Sequence, residues 1–330
     1  MNTLNPTKMR AMGWPRVDHT GAPELIEVER PEPDRGHVRV SVRSSALNPA
    51  DLKVAKGGFV GGLLHASVSP LVVGYDFSGV IDCCGDAVAD LHVGESVFGF
   101  LPYARATRQG AFAESVTVDA RQLARKPDQV SHQIAAAAAT PAVSALQGLR
   151  DAGRLRSGGR VMIIGASGGV GCVAIGIARR LGASVTAICS THAVEFVRSL
   201  GAESVIDRRK QDPLKVPGPF DVVFDTAAAY SYAACRHLIA ANGAYVTTLP
   251  NAGLIIGKLL TLSSSRRCAM ISVKPVREDF DLVAAFIAEG MAIPIDTAFP
   301  VRELSLAFAR LQKGEMRGRV SIQVEGGFGS

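Results

Sequence analysis

What this 330-residue chain has little of narrows its reading first. Aromatic residues make up 6% of it and tryptophan occurs once, too few for the aromatic platforms and basic stripes of a nucleic-acid binder. Its 36 Lys and Arg against 30 Asp and Glu leave a net charge of +6, with both signs mixed along the chain; such a field assists anionic ligands and selects no partner by itself. No stretch approaches the roughly 18 uninterrupted apolar residues of a membrane span. The opening MNTLNPTKMR lacks the apolar centre of a secretory signal, so a cytoplasmic protein with about eight frayed N-terminal residues is expected. Six cysteines occur at no metal-binding spacing: Cys83 and Cys84 adjoin, and Cys172, Cys189, Cys235 and Cys268 are scattered through apolar segments. They read as thiols of a reducing compartment.

What is present is a core-forming composition, 47% hydrophobic, in a chain long enough for two domains. Its most informative stretch is RVMIIGASGGVGCVAIGIARRLGASVTAICS from Arg160 to Ser190. Arg160 to Gly165 is Val- and Ile-rich like a buried parallel strand, and Val170 to Leu181 carries apolar residues at helical spacing. The turn between them reads A-x-G-x-x-G, with Ala166 in place of the usual first glycine and Ser167 beside it. Gly168 and Gly169 let backbone approach a pyrophosphate, Gly171 lets helix pack on strand, and the helix-start N–H groups, including that of Val170, face the phosphate charge.

A site for the non-phosphorylated dinucleotide usually carries Asp or Glu at the end of the second strand, on the ribose 2′-hydroxyl. Here that strand, Ser184 to Cys189, is followed by Ser190, Thr191 and His192. Two hydroxyls and an imidazole suit a 2′-phosphate, and Arg208, just after the strand Glu203 to Ile206, supplies charge at the same edge. NADPH is therefore the expected cofactor. Thr226 and Leu249 follow at the ends of two further strands, Asp221 to Asp225 and Ala244 to Leu249, on the edge where open α/β sheets bind ligands.

Before this unit, Arg10 to Lys126 is a texture of short β-prone runs broken by Gly, Pro and Asp. At Ser131 it gives way to an Ala-rich helix that Pro141 is expected to interrupt, with a second helical run to about Asp151. The expected fold is α/β: a mostly β domain over 1–128, a doubly wound parallel-sheet domain over 129–272, and a segment 273–330 with two helices and a last strand, Arg319 to Val324, returning to the first domain.

The motifs SSALNPADLKVAKG, VVGYDFSGVI, VGESVFG, GAFAESVTV, SALQGL, GASGGVG and RGRVSIQV, in this order, resemble the medium-chain dehydrogenase/reductase superfamily, and within it the zinc-free quinone oxidoreductases. The resemblance implies a GroES-like catalytic domain, a Rossmann domain, an active site in the cleft between them and a homodimer. It also implies hydride transfer from the nicotinamide to a quinone or to the C=C of an α,β-unsaturated ketone. Asn48 stands where zinc enzymes of the superfamily have a catalytic Cys, and Gly74-Tyr75-Asp76 replaces Gly-His-Glu, so no metal is expected.

On that resemblance Asn48 lies beside the nicotinamide, the alternative being a turn cap before Pro49. Asp51 takes part directly or anchors the segment, and Lys53 delivers a proton or is simply solvated. Ser144 stands where the family has Thr and is a candidate nicotinamide contact. Arg319, where Lys is usual, touches the cofactor or ties down the last strand. Phe59, Leu63, His65, Phe100 and Tyr103 wall the acceptor pocket, with Tyr103 and His65 as its proton donors unless they lie on the surface. An enoyl-thioester reductase and a non-catalytic NADPH-binding protein are the rival readings.

Overall fold

The computed structural model describes residues 7–15, 21–250, 253–262 and 264–329. The first half contains β1 (Lys8–Trp14), β2 (Glu24–Glu29), β3 (His37–Leu47), α1 (Pro49–Ala55), α2 (Gly58–Leu64), β4 (Leu71–Val72), β5 (Asp76–Cys84), β6 (Ser96–Phe100), β7 (Ser115–Asp119) and β8 (Leu123–Arg125). Then come α3 (His132–Leu146), β9 (Arg160–Ile164), α4 (Gly169–Arg180), β10 (Ser184–Cys189), α5 (Val194–Ser199), β11 (Ser204–Asp207), β12 (Phe220–Asp225), α6 (Tyr232–Cys235), β13 (Ile239–Thr247), α7 (Gly253–Thr261) and β14 (Arg267–Met270). The tail supplies α8 (Arg277–Ala288), β15 (Ile295–Pro300), α9 (Leu304–Lys313) and β16 (Arg319–Gln323). Of the eight N-terminal residues expected to fray, 1–6 lie outside the described residues, and Lys8 already pairs with Glu29.

Six strands form a parallel sheet in the order β11-β10-β9-β12-β13-β14, the doubly wound dinucleotide-binding order. Its centre is hydrophobic on both faces because helices cover both. In β9, Val161 and Ile163 join the core under α3, α4 and α8, while Met162 and Ile164 join the core of the opposite face. Each such side chain contributes about 1.5–3 kcal/mol by its burial. The strand order reverses between β9 and β12, so a ligand crevice is expected beyond Ile164 and Asp225.

The other large sheet runs β15-β16-β3-β5-β6-β8, with β7 also on β3. Its strand β16 pairs antiparallel with the end of β3, Val320 opposite Leu47, and β3 pairs with β5, Ala46 opposite Asp76. That register draws three distant residues, Asn48, Asp76 and Arg319, to one corner.

Helix α3 lies between the sheets, against β3, β5, β6 and β16 on one side and α4 and α8 on the other. Pro141 does not end it; α3 runs unbroken from His132 to Leu146 and continues as a π-helical stretch, Gln147–Ala152. Every residue from Ala135 to Leu146 is buried, so packing on both sides outweighs the missing N–H of one proline. Strand β13 likewise starts earlier than its apolar run, at Ile239, and ends at Thr247. Of the six cysteines, all free, Cys83 and Cys84 are half-buried and the rest buried.

Candidate active site

The turn between β9 and α4 uses its glycines in different ways. Gly165 has φ +78°, and a Cβ there would also meet the Thr226 hydroxyl at 2.9 Å. Thr226 holds this corner by donating to the Ile164 carbonyl at 2.8 Å. Gly171 is required by close approach: a Cβ would lie 2.2 Å from the Gly165 carbonyl oxygen. Gly168 has an ordinary φ of −76°, and its Cβ would touch only that same oxygen at 3.4 Å. Among the described residues the space in front of Gly168 is open. At Gly169 a Cβ would come within 3.1 Å of the Arg319 side chain. The first N–H groups of α4 have no partner within the helix. Ala166 is buried, while Ser167 and Val170 are half-buried.

Beyond the tips of β10 and β11, Arg208 donates through Nε to the Ser190 hydroxyl at 2.9 Å; Thr191 and His192 are exposed. A carboxylate stands nearby after all, one strand over. Burial works to raise the Asp207 carboxyl, but the Arg209 N–H, the Thr191 hydroxyl and the charges of Lys210 and Arg209 hold it below the usual carboxylate range. The Thr191 hydroxyl is thus engaged by Asp207. From the opposite side the exposed Arg317 donates Nη2 to the His192 carbonyl at 2.5 Å, and Gly318 N–H donates to the Ser167 carbonyl at 3.0 Å.

In the corner set by the β3 register, the fully buried Asp76 carboxylate takes four donors. Arg319 Nη2 approaches one oxygen at 2.5 Å and Asn48 Nδ2 at 3.0 Å; the Thr140 N–H reaches the other at 3.0 Å, and the Thr140 hydroxyl bonds to it as well. Burial pushes the Asp76 carboxyl up, opposed by Arg319, Thr140 and Asn48. Arg319 is itself buried, and its Nε has no protein partner among the described residues. One guanidinium therefore touches both the catalytic-sheet cluster and the start of α4. Asp51 serves a different end. Its oxygens accept from the Asn48 N–H at 2.6 Å and the Gly74 N–H at 2.9 Å, holding α1 and the Gly74 turn together, and burial foremost pushes its carboxyl up to about 8.

Tyr103 reaches this cluster through Thr140, hydroxyl to hydroxyl at 3.1 Å. The single Thr140 proton is committed to Asp76, so Tyr103 is the donor. Its ring stacks on Tyr75 with centroids 4.1 Å apart, and burial, then the charges of Asp76 and Asp51, raises its hydroxyl well above the ordinary tyrosine value. His65 is buried rather than at the surface, with Nδ1 3.3 Å from the Tyr75 hydroxyl. Phe100, expected to wall a pocket, is fully buried in the core with its ring 5.3 Å from that of Phe280. Phe59 and Leu63 on α2 are 83% and 51% exposed. Ser144 is buried on α3 one helical turn beyond Thr140, Lys53 is half-buried on α1, and Leu249, half-buried, follows β13.

Sequence reasoning named Tyr75 and Asp76 only as zinc-site replacements and passed over Thr140, Asp207 and Arg317. The pair Thr140-Pro141 inside an alanine helix was the available signal for the first.

Two family models match the chain: an alcohol dehydrogenase GroES-like domain over residues 34–128 and a zinc-binding dehydrogenase domain over 200–321. Among curated proteins it is 30% identical to the mitochondrial NAD(P)H oxidoreductase RTN4IP1 of Bos taurus, over 87% of this chain and 81% of that one. It is 35% identical to the chloroplastic NADPH-dependent alkenal/one oxidoreductase of Arabidopsis thaliana, over 67% of this chain and 58% of that one. Among solved structures, the quinone oxidoreductase from Coxiella burnetii superposes with a TM-score of 0.85 at 26% identity, over 96% of this chain and 99% of that one. No helix among the described residues is long and apolar enough to cross a membrane. Sequence, sheet order and the glycine turn agree: the chain belongs to the medium-chain dehydrogenase/reductase superfamily and is an oxidoreductase of the kind that uses a nicotinamide cofactor.

Proposed function

We propose that the protein is an NADPH-dependent, zinc-independent reductase of quinones or of the activated C=C of α,β-unsaturated carbonyl compounds. The observation that carries this reading is Arg319, whose guanidinium lies against Gly169 while pairing with Asp76. It joins a nucleotide-binding turn to a polar corner in which a substrate carbonyl can be held. The residues fit the cofactor: among the described residues, space in front of Gly168 is open, free N–H groups start α4, and the buried Arg319 Nε lacks a protein partner. Gly165 to Gly171 would take the pyrophosphate, Ser190, His192 and Arg208 the 2′-phosphate, and Thr226, Leu249, Ser144 and Asn48 the nicotinamide half. When bound, the cofactor supplies a hydride.

The protein's own groups do the rest. Asp76 is an unsuitable metal ligand, since Arg319 neutralises it and Asn48 and Thr140 occupy its remaining lone pairs. Without a Lewis acid to hold an alkoxide, reduction of a conjugated acceptor, which spreads the incoming charge, is favoured over alcohol oxidation. The Tyr103 O–H, by rotating away from Thr140, can hold the acceptor oxygen; its raised pKa suits it to hydrogen bonding, and water then supplies the proton that completes the hydroquinone or the saturated ketone. The apolar face of α7, with Ile255 71% and Leu259 61% exposed, adjoins the open edge of β14 and supports the homodimer. Sedimentation as a monomer would remove that part of the proposal.

The test is NADPH oxidation with a panel of quinones and enones in the presence of a chelator, together with elemental analysis. Turnover in chelator without stoichiometric zinc is expected. Chelator-sensitive turnover with one zinc per chain would overturn zinc independence, and tight NADPH binding without turnover would leave only a binding protein.

A further inference from the structure

We infer that Arg317, on the tail segment rather than on the dinucleotide-binding sheet, is a second arginine for the 2′-phosphate and a determinant of cofactor choice. The inference rests on the NADPH reading above. The tip of β10 is gripped from two sides: Arg208, following β11, donates to the Ser190 hydroxyl at 2.9 Å, and Arg317 donates to the His192 carbonyl at 2.5 Å. A backbone carbonyl uses one of the several guanidinium donors, and the exposed side chain keeps the others for a ligand.

Arg317 is also held in place. Its N–H donates to Asp296 Oδ1 at 2.9 Å, and the next N–H, of Gly318, donates to the Ser167 carbonyl in the glycine turn at 3.0 Å. Arg317 and Arg319 therefore flank a glycine fixed to the turn, one reaching the adenosine end and the other the start of α4. The Asp207 carboxylate, beside Thr191, is already countered by the charges of Lys210 and Arg209. Arg208 and Arg317 therefore remain as two guanidiniums for a phosphate at the neighbouring tip.

The experiment is calorimetric titration of the full-length protein and its Arg317→Ala, Arg317→Lys and Arg208→Ala variants with NADPH, NADH, 2′,5′-ADP and 5′-AMP, with melting curves for each. In Arg317→Ala, NADPH and 2′,5′-ADP should weaken by about 10- to 100-fold, the effect of one charge-assisted contact. NADH and 5′-AMP should change by less than about twofold, and Arg317→Lys should recover part of the loss. Equal weakening of phosphorylated and unphosphorylated ligands would overturn the inference, making Arg317 only a support for the tip. An unchanged ratio in a parent that prefers NADPH would overturn it too, while leaving the NADPH reading intact. A parent that prefers NADH would instead defeat the NADPH reading itself.

Discussion

The two ends of the proposed cofactor cleft are built on opposite principles. Between β9 and α4 the site is made of backbone: its shape depends on which positions lack a Cβ, and its donors are N–H groups at a helix start. In the corner around Asp76 the site is made of side chains, four donors gathered on one buried carboxylate from residues 28, 64 and 243 positions away in sequence. The first is local, and an added side chain either overlaps the turn, as at Gly171, or fills the open space in front of it, as at Gly168. The second is long-range, and its stability depends on charge balance.

The largest expected effects come from dividing the glycines. Gly168→Val should reduce cofactor affinity more than about 100-fold, because the side chain enters the open space in front of the turn. The melting temperature should change little, since the protein offers only one ordinary contact there. Gly171→Val should do the reverse and destabilise the fold itself, as even its Cβ would overlap the Gly165 carbonyl at 2.2 Å. Tight NADPH binding by Gly168→Val would show that the cradle lies elsewhere.

The matching test of the charged corner is Arg319→Met. It strands a buried carboxylate, and loss of one partner of such a pair costs about 3–5 kcal/mol. Without Arg319 the Asp76 carboxyl is pushed further above its unfolded value, so the native state holds a proton that the unfolded chain releases. The deficit should therefore be small at low pH, where Asp76 is protonated in both folded proteins, and grow once pH passes the parent's own raised Asp76 value. Adding Asp76→Asn should restore much of the stability at neutral pH. Denaturant melts of the two variants across pH check both statements.

The same division explains what could be read in the sequence. The strand–turn–helix unit was legible because it is contiguous: Val161 to Ile164, the glycines and the apolar face of α4 each state their role through spacing. The final strand was legible as a strand, but Val320 opposite Leu47 was not, and that register brings Arg319 to Asp76. Thr140 was marked only by standing next to Pro141 in an alanine helix, and its role was hidden because its partner lies 64 residues earlier. The burial of Phe100 was not legible because nothing in SVFGF shows that α8, almost two hundred residues later, places Phe280 on it. His65 reads as a loop residue until Tyr75 is seen above it.

At the adenosine tip, where backbone and side chains meet, effects should be intermediate. Arg208→Ala should weaken NADPH about 10- to 100-fold and spare NADH. Ser190→Asp should go further and reverse the preference, placing a second carboxylate beside Asp207 to repel the phosphate while bonding the bare ribose. Equal losses for both cofactors in Arg208→Ala would identify that arginine as a support of the Ser190 turn.

The smallest effect sharpens the contrast within the catalytic half, between a carboxylate held by charge and one held by backbone. Asp51 has no cation within hydrogen-bonding distance among the described residues; two N–H groups hold it, and burial lifts its carboxyl to about 8. The unfolded value is near 3.9. A folded-state pKa above the unfolded one means stability present at low pH and lost as pH climbs from about 4 through 8. Asp51→Asn keeps one acceptor and turns an amide N–H toward the other donor, which should cost about 1–2 kcal/mol at low pH. It also removes the titration, so the gap between parent and variant should narrow as pH rises. Melts at pH 5 and pH 8 decide the matter, because a gap that widened instead would mean that Asp51 is ionised in the native protein and held by its two N–H bonds as an anion.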